Sequence, residues 1–291
     1  MVVTGAALVA VSLTATLAYA AASDAGSESR PAERASNAGA PLAAKGPAST
    51  DCVATTLGAL EGALKTPVKI RYLANPSGSL FFEAGLAIDA DGGRHAYRDD
   101  DKGLDTIKNA CPRDPAKVCF GILEPTPGNR VRQAAPNQAY YVSPTTLQDP
   151  SKPKTDQARY VDSETIAYLA LPVKSLQKMA DAQGISNGSP KLGDVAFVRN
   201  RHNGKTAFAI IADVGPSGKI GEGSIALAQA LGIPSSPRHG GAADGVEVLI
   251  FIGSGNRRPR PQADIDAAGA SRLGAWGGEA RLTTCLADGP N

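Results

Sequence analysis

The sequence is poor in the residues that build several common kinds of site. Its 3 histidines are scattered and it has no Cys-x-x-Cys pair, which argues against a zinc site. It has no G-x-S-x-G elbow and no histidine within a motif, so schemes with a serine or cysteine nucleophile lack support. The formal net charge is only +2 and no basic stripe is interleaved with aromatic residues. We therefore expect no metal, no cofactor and no nucleic-acid partner.

Aromatic residues are also scarce, at 5% of the chain, and the sequence shows no internal repeat and no helical pattern long enough for a bundle. Glycine and proline are instead abundant, with 32 and 21 copies. This composition favours β-structure with many turns. The strand-like segments are few and vary in length, which favours a closed barrel over a sandwich.

The N-terminal segment lacks charge. Residues 1–20 form an apolar run that ends in an A-x-A pattern, which predicts a cleaved signal peptide, although no Lys or Arg precedes the run. A short membrane anchor is the alternative. Residues 21–50 are rich in Ala, Ser, Gly and Pro, which is typical of a flexible linker. We expect a secreted protein, extracellular or periplasmic, with no membrane contact after signal cleavage.

The chain contains 4 cysteines, and an even number in an exported protein suggests two disulfides. Cys111 and Cys119 would close a short local loop, and Cys52 with Cys285 would then join the two ends of the folded domain. Free buried thiols are the alternative.

The patterns predict a mainly β domain with a few short helices, an α+β fold. Residues 52–64 look like a short helix, and 173–184 have apolar residues at helical spacing before Gly184. Asn203-Gly204 lies between two strand-like runs and indicates a hairpin. The other predicted strands are 67–74, 79–89, 138–147, 164–172 and 245–255.

Two carboxylates flank a glycine-rich turn. Asp213 follows the apolar run 208–212, and Glu222 stands nine positions later, before Ser224 as the expected N-cap of a helix. A pair of acids across a cleft suits glycosidic hydrolysis, in which one donates a proton and the other is ionised. The alternative is that Asp213 caps the turn and Glu222 is solvated.

Segment 209–233, AIIADVGPSGKIGEGSIALAQALGI, closely resembles the signature of fungal-type chitosanases, glycoside hydrolase family 75. Segments 82–93, 140–147, 159–172, 193–216 and 246–255 continue the resemblance in order, so that it covers roughly residues 70–255. The resemblance implies that 51–291 is a chitosanase-like catalytic domain that cleaves β-1,4 glucosamine linkages internally, with inversion. It also implies that the family's essential acids are Asp213 and Glu222.

The same segment is similar to double-psi β-barrel enzymes that cleave cell-wall glycans, so we expect a compact barrel of that kind. By that analogy Glu222 is the general acid and Asp213 positions or activates water; the residues alone leave the assignment open. The alternatives are a peptidoglycan-cleaving hydrolase or lytic transglycosylase, and a non-catalytic wall-binding protein.

Chitosan is a polyamine, so further acids should line its cleft. Asp89 and Asp91 directly follow a strand and are the preferred substrate-binding candidates. Tyr141 is a candidate for stacking on a sugar, although aromatic residues at strand spacing more often pack in the core. Trp276 is either a sugar platform or a packing residue. We expect a monomer whose partner is chitosan or a related amino-sugar polysaccharide.

Overall fold

The computed structural model describes residues 52–62 and 65–287. The predicted signal peptide 1–20 and linker 21–50 lie outside these residues. The strands are β1 (Ala54–Glu61), β2 (Pro67–Leu73), β3 (Ser79–Asp89), β4 (Tyr168–Ala170), β5 (Val195–Asn200), β6 (Thr206–Asp213), β7 (Glu222–Ser224) and β8 (Ala242–Phe251). The α-helices are α1 (Ile107–Ala110), α2 (Val173–Ala182), α3 (Ile225–Ala230), α4 (Gln262–Trp276) and α5 (Gly278–Ala287).

Six strands close into a barrel in the order β3-β7-β4-β6-β5-β8, because β8 pairs back onto β3. The pairs β3–β7 and β4–β6 are parallel, and the other neighbours around the barrel are antiparallel. β2 pairs with β3, and β1 pairs with β2, as an extension of the sheet. The predicted mainly β barrel with a few short helices is confirmed.

The barrel strands are buried on both faces, which explains their continuous apolar runs. In β3, Leu80 and Phe82 belong to the central core, whereas Phe81 between them packs in a second cluster with Trp276. Burial of each such side chain contributes about 1.5–3 kcal/mol. α4 forms an outer layer over β5 and β6, and Ile265 of α4 packs with Ile210 and Ala212 near the end of β6.

Trp276 is 1% exposed and its indole N–H donates to the hydroxyl of Ser79. It is therefore a packing residue, and the sugar-platform alternative is wrong. Disulfides join Cys52 to Cys285 and Cys111 to Cys119, the same two pairs that the sequence suggested. The first links the start of the sheet to α5, and the second closes a loop after α1.

The predicted helix at 52–64 is wrong, because its described part forms strand β1. Leu57 and Leu60 are three residues apart, a helical spacing, yet both face the barrel core. A bulge between Thr56 and Gly58, with Gly58 at φ 150°, shifts the register so that a strand reaches this spacing. Pairing with β2 thus overrides the local pattern.

The segment 138–147 was predicted as a strand and makes only isolated bridges, Arg98 with Tyr140 and Arg132 with Tyr141. It belongs to an irregular region of 78 positions, 90–167, between β3 and β4. This region has its own small core, which contains Tyr97, Ile122 and Tyr141. The region therefore covers one end of the barrel without extending its sheet.

The remaining local predictions hold. β5 and β6 form the hairpin, closed by a loop with Gly204 at φ 73°. Ser224 caps α3 by accepting from the N–H of Leu227, and Gly184 at φ 69° follows α2. Among the described residues, no helix is long and apolar enough to span a bilayer.

Candidate active site

The two acids of the glycine-rich segment lie in one row across three strands. β4 runs between β6 and β7, and Ala170 of β4 is in register with both Asp213 and Glu222. Two strand spacings separate the Cα atoms of the acids by roughly 9–10 Å. One alanine therefore lies between the two carboxylates, with room above it for a sugar and a water molecule.

Small residues surround this row. Ala87 of β3 is in register with Glu222 on its other side. A Cβ added at Gly215 would lie 3.3 Å from Oε2 of Glu222, and one at Gly221 would lie 2.5 Å from the carbonyl oxygen of Gly85. Gly221 also has a φ of 95°, which other residues rarely adopt. The glycines are thus needed where the chain passes close to Glu222.

Glu222 lies two residues before Ser224, the predicted N-cap of α3, and the structure adds that Glu222 itself belongs to a strand. Glu222 is the first residue of the short strand β7, and α3 begins only at Ile225. β7 pairs with β3 and β4, and Leu227 and Ala228 of α3 pack in the central core, so a paired strand holds the Glu222 carboxylate.

A cleft of about 500 Å³ opens above the row and contains four carboxylates, those of Asp89, Asp91, Asp213 and Glu222. β3 ends at Asp89, whose Oδ1 accepts from the N–H of Asp91 at 2.8 Å. Asp91 Oδ1 in turn accepts from the hydroxyl of Tyr97 at 2.6 Å. The acidic turn after β3 thus reaches the same cleft as the catalytic candidates, at the same end of the barrel.

Asp213 is surrounded by donors to its ionised form. Its Oδ1 accepts from the hydroxyl of Thr146 at 2.5 Å, the N–H of Thr146 at 3.1 Å and the N–H of Val214 at 2.7 Å. The N–H of Leu147 donates to the carbonyl oxygen of Ala212 and fixes Thr146 at this place. Burial raises the pKa of Asp213, and these hydrogen bonds oppose that rise.

Glu222 has no such donors among the described residues. Burial, with the charge of Asp213 as the second cause, raises the pKa of Glu222 to about 7, and Lys219 opposes the rise. Both pKa values are raised, but hydrogen bonds to the ionised form oppose the rise at Asp213 alone, so the two carboxyls lie in different environments. This separation is the pattern of an acid and base pair.

The other two acids of the cleft are also held without cations. Burial is the main cause that raises the pKa of both Asp89 and Asp91 well above the ordinary value, and the neighbouring carboxylates add to it. In the part of the chain that the structure describes, none of the four cleft acids forms a salt bridge, and no group of three or more ligating side chains is arranged to hold a metal ion. The free cleft is therefore strongly acidic.

A family model described as fungal chitosanase of glycosyl hydrolase group 75 matches residues 117–275. The chain belongs to this family. Among curated proteins, none matches the chain. The matched range includes Asp213 and Glu222 but begins after Asp89 and Asp91. The place of these two aspartates in the cleft is therefore supported by the geometry alone.

The structure brings four of the five predicted site residues together and leaves Tyr141 apart. Tyr141 is 6% exposed, packs in the small core of the region 90–167, and does not line the cleft. The guanidinium groups of Arg130 and Arg132 lie over its ring at 5.8 and 5.1 Å. The prediction that it binds substrate has no support in this geometry.

Sequence reasoning missed Thr146 and Phe120. Phe120 is 64% exposed and lines the cleft beside the Cys111–Cys119 disulfide. Its neighbour Gly121 lies so close to Asp91 that an added Cβ would be 2.5 Å from Oδ1. In the sequence, an aromatic residue directly after a cysteine of a short loop could have indicated Phe120. No sequence pattern indicated Thr146.

We predict that Asp89→Asn stabilises the protein at neutral pH more than at acidic pH, because Asp89 has no salt-bridge partner in the described residues. The native state raises the pKa of Asp89, so the unfolded chain ionises first as pH rises, and the native carboxylate then costs free energy. Asn keeps the acceptor for the Asp91 N–H. We expect the free energy of unfolding to rise by about 1–3 kcal/mol near neutral pH, with little change near the pKa of a free carboxyl, about 4.

Urea denaturation at the two pH values measures this effect, with the exposed acid change Asp264→Asn as the matched control. An equal gain at both pH values, or no gain near neutrality, contradicts the proposed cost of the buried charge.

Proposed function

We propose that this family member is a secreted endo-chitosanase that hydrolyses β-1,4 glucosamine linkages with inversion, with residues 51–291 as its catalytic domain. The observation that carries the proposal is the pair Asp213 and Glu222, which flank Ala170 and of which only Asp213 accepts hydrogen bonds that favour its ionised form. Two disulfides support an oxidising compartment. Family membership supports glycosidase chemistry on a polysaccharide.

In this mechanism Glu222 gives its proton to the glycosidic oxygen as the bond to the anomeric carbon breaks. Asp213 accepts a proton from a water molecule, whose oxygen attacks the anomeric carbon from the opposite face. The three hydrogen bonds to Oδ1 hold the Asp213 carboxylate in place. The water-derived oxygen ends on the face opposite the departed one, which is inversion.

The acidic surroundings of the pair suit a cationic sugar. Asp89 and Asp91 have no salt-bridge partner in the described residues, and an ammonium group of glucosamine would supply one. A neutral sugar would leave the other three acids of the cleft, Asp89, Asp91 and Asp213, without a cationic partner. The charge of the cleft therefore favours free amino groups near the scissile bond over fully acetylated chains.

The cleft continues on both sides of the pair, as internal cleavage requires. A second hollow of about 330 Å³ shares Ala170, Pro216 and Glu222 with it and extends to Glu61 and Lys65; we call it the Glu61 arm. A third hollow shares Thr146 with it. A polymer can therefore lie across the acids without presenting an end.

Phe120 is the proposed platform for a sugar ring. Its ring is exposed at the cleft wall, and its N–H donates to the carbonyl oxygen of Ala110 at 2.9 Å, which fixes the loop. The apolar face of a sugar covers an aromatic ring with little loss of hydration.

Asp213→Asn and Glu222→Gln test the central pair. Each should lower kcat on soluble chitosan by roughly a hundredfold or more, the scale of lost acid or base catalysis, while chitosan binding remains. Reducing-end release and calorimetry measure the two quantities, and Asp264→Asn serves as the exposed control. Glycan affinity without reducing ends in the unaltered protein, or release from peptidoglycan and none from chitosan, would sink the proposal.

The pH profile of kcat/KM tests which acid has which role. Glu222 must keep its proton, so activity should fall as pH rises above about 7. Lys219→Gln removes a charge that lowers the pKa of Glu222 and should move this alkaline limb to higher pH. Thr146→Val removes a donor to ionised Asp213 and should move the acid limb to higher pH instead.

Thr206→Val, at an exposed strand end, is the control for the threonine change. If Thr146→Val moves the alkaline limb and Lys219→Gln the acid limb, the roles of the two carboxylates are reversed.

Phe120→Ala should raise KM for chitosan about two- to tenfold, the range expected for one aromatic contact, with kcat little changed. Phe120→Tyr keeps the ring and should keep KM. Steady-state kinetics on soluble chitosan measures both, and an Ala variant with unchanged KM, or a Tyr variant as impaired as Ala, contradicts a stacking role.

A further inference from the structure

The third hollow, of about 560 Å³, adjoins the acidic cleft at Thr146 and has the opposite charge. We call it the cationic arm, because no Asp or Glu lines it and four basic side chains do: Arg159, Lys174, Lys191 and Arg257. Thr146 is also the residue that donates two hydrogen bonds to Asp213. The arm is therefore a continuation of the cleft on the Asp213 side.

The cations of this arm are not neutralised by the protein. In the described residues, Lys174, Lys191 and Arg257 form no salt bridge, and Arg159 donates to neutral acceptors, the amide oxygen of Gln148 and the carbonyl oxygen of Lys152. Three acids lie near the arm, and each accepts hydrogen bonds within the protein. Asp149, between the lining residues Gln148 and Pro150, accepts from the N–H and the hydroxyl of Ser151. Asp194 is buried and accepts from the N–H groups of Lys191, Gly253 and Gly255. Asp181 accepts from the amide of Gln177.

The start of α2 adds to this positive charge. The arm is lined by Val173, Lys174 and Gln177 of its first turns. Pro172 precedes the helix, no side chain caps its N–H groups, and its first turn has no acid. Over ten residues the helix dipole places a partial positive charge at this end, which favours an anion.

The two arms of the cleft therefore differ in what they can accept. In the Glu61 arm, Lys219 lies 3.8 Å from the carboxylate of Glu61, so acids and bases are mixed. In the cationic arm an ammonium group of chitosan would meet four basic side chains and, among the described residues, no lining carboxylate. A ligand group that compensates the positive charge of these side chains and of the start of α2 must be negative.

We infer that the cationic arm is a subsite for a carboxylate-bearing sugar unit, so that the preferred substrate is a mixed-charge glycan. Its free amino groups would lie at the four acids, and its carboxylate would lie on the Asp213 side among Lys174, Lys191 and Arg257. The inference rests on the proposed function for the direction of the chain through the cleft.

Binding to the full chain with Glu222→Gln, which should not turn over, tests the arm. The probes are chitosan oligosaccharides that are partly N-succinylated or, to the same degree, N-acetylated, so that they differ in a carboxylate. Calorimetry should give a dissociation constant about two- to fivefold lower per engaged carboxylate for the succinylated probe, the range of exposed ion pairs. The ratio should shrink as salt is raised, because salt screens such pairs.

Lys174→Gln combined with Lys191→Gln should bring the ratio of the two dissociation constants to about one. Lys178→Gln, an exposed lysine one turn further along α2 that does not line the arm, should preserve it. Equal affinity for the two probes, or a preference that survives the double change, overturns the inference. Hydrolysis of unmodified chitosan by the unaltered protein reports separately on the proposed function, because the binding ratio involves no turnover.

Discussion

The pairing of the three-residue strand β4 with both β6 and β7 is the interaction on which the site depends. It sets Asp213 and Glu222 on either side of Ala170, and the parallel pair β3–β7 then places Asp89 at the same end of the barrel. A shift by one residue would turn a carboxylate away from the cleft. The register is secured by the buried neighbours Leu169 and Ile211, which belong to the central core.

This arrangement brings four acidic side chains together in the cleft, where their ionisation does not stabilise the fold. Four carboxylates with raised pKa values and no salt bridges in the described residues oppose folding at neutral pH. Barrel closure and the two disulfides stabilise the fold and offset the cost of burying these acids. Two of the three donors to Asp213 belong to Thr146 of the region 90–167 and the third is the N–H of Val214, so the covering region and the barrel together create the different environments of the two acids.

The site residues that follow from local patterns were predictable from the sequence. Contacts between segments that are distant in the sequence were not. Asp213 at the end of an apolar run and Ser224 as a helix cap are local patterns, and both hold. β1 was mistaken for a helix because the bulge at Gly58 imitates helical spacing. Thr146 is 67 positions from Asp213, and tertiary hydrogen bonds, including the one from Leu147 to Ala212, bring them together. No local pattern contains that information.

Asp213 and Glu222 lie on paired strands, whereas the proposed binding residues lie on loops and at a helix start. Substrate preference could therefore change without a change in these two acids. The paired row is fixed by backbone hydrogen bonds, so its alanine and glycines tolerate little variation. Phe120 and the cations of the cationic arm lie on loops and on the exposed start of α2, where side chains contact solvent more than core. Binding residues on loops can be exchanged at small cost to the scaffold. Changes at these positions can therefore alter the charge of the cleft without moving Asp213 or Glu222.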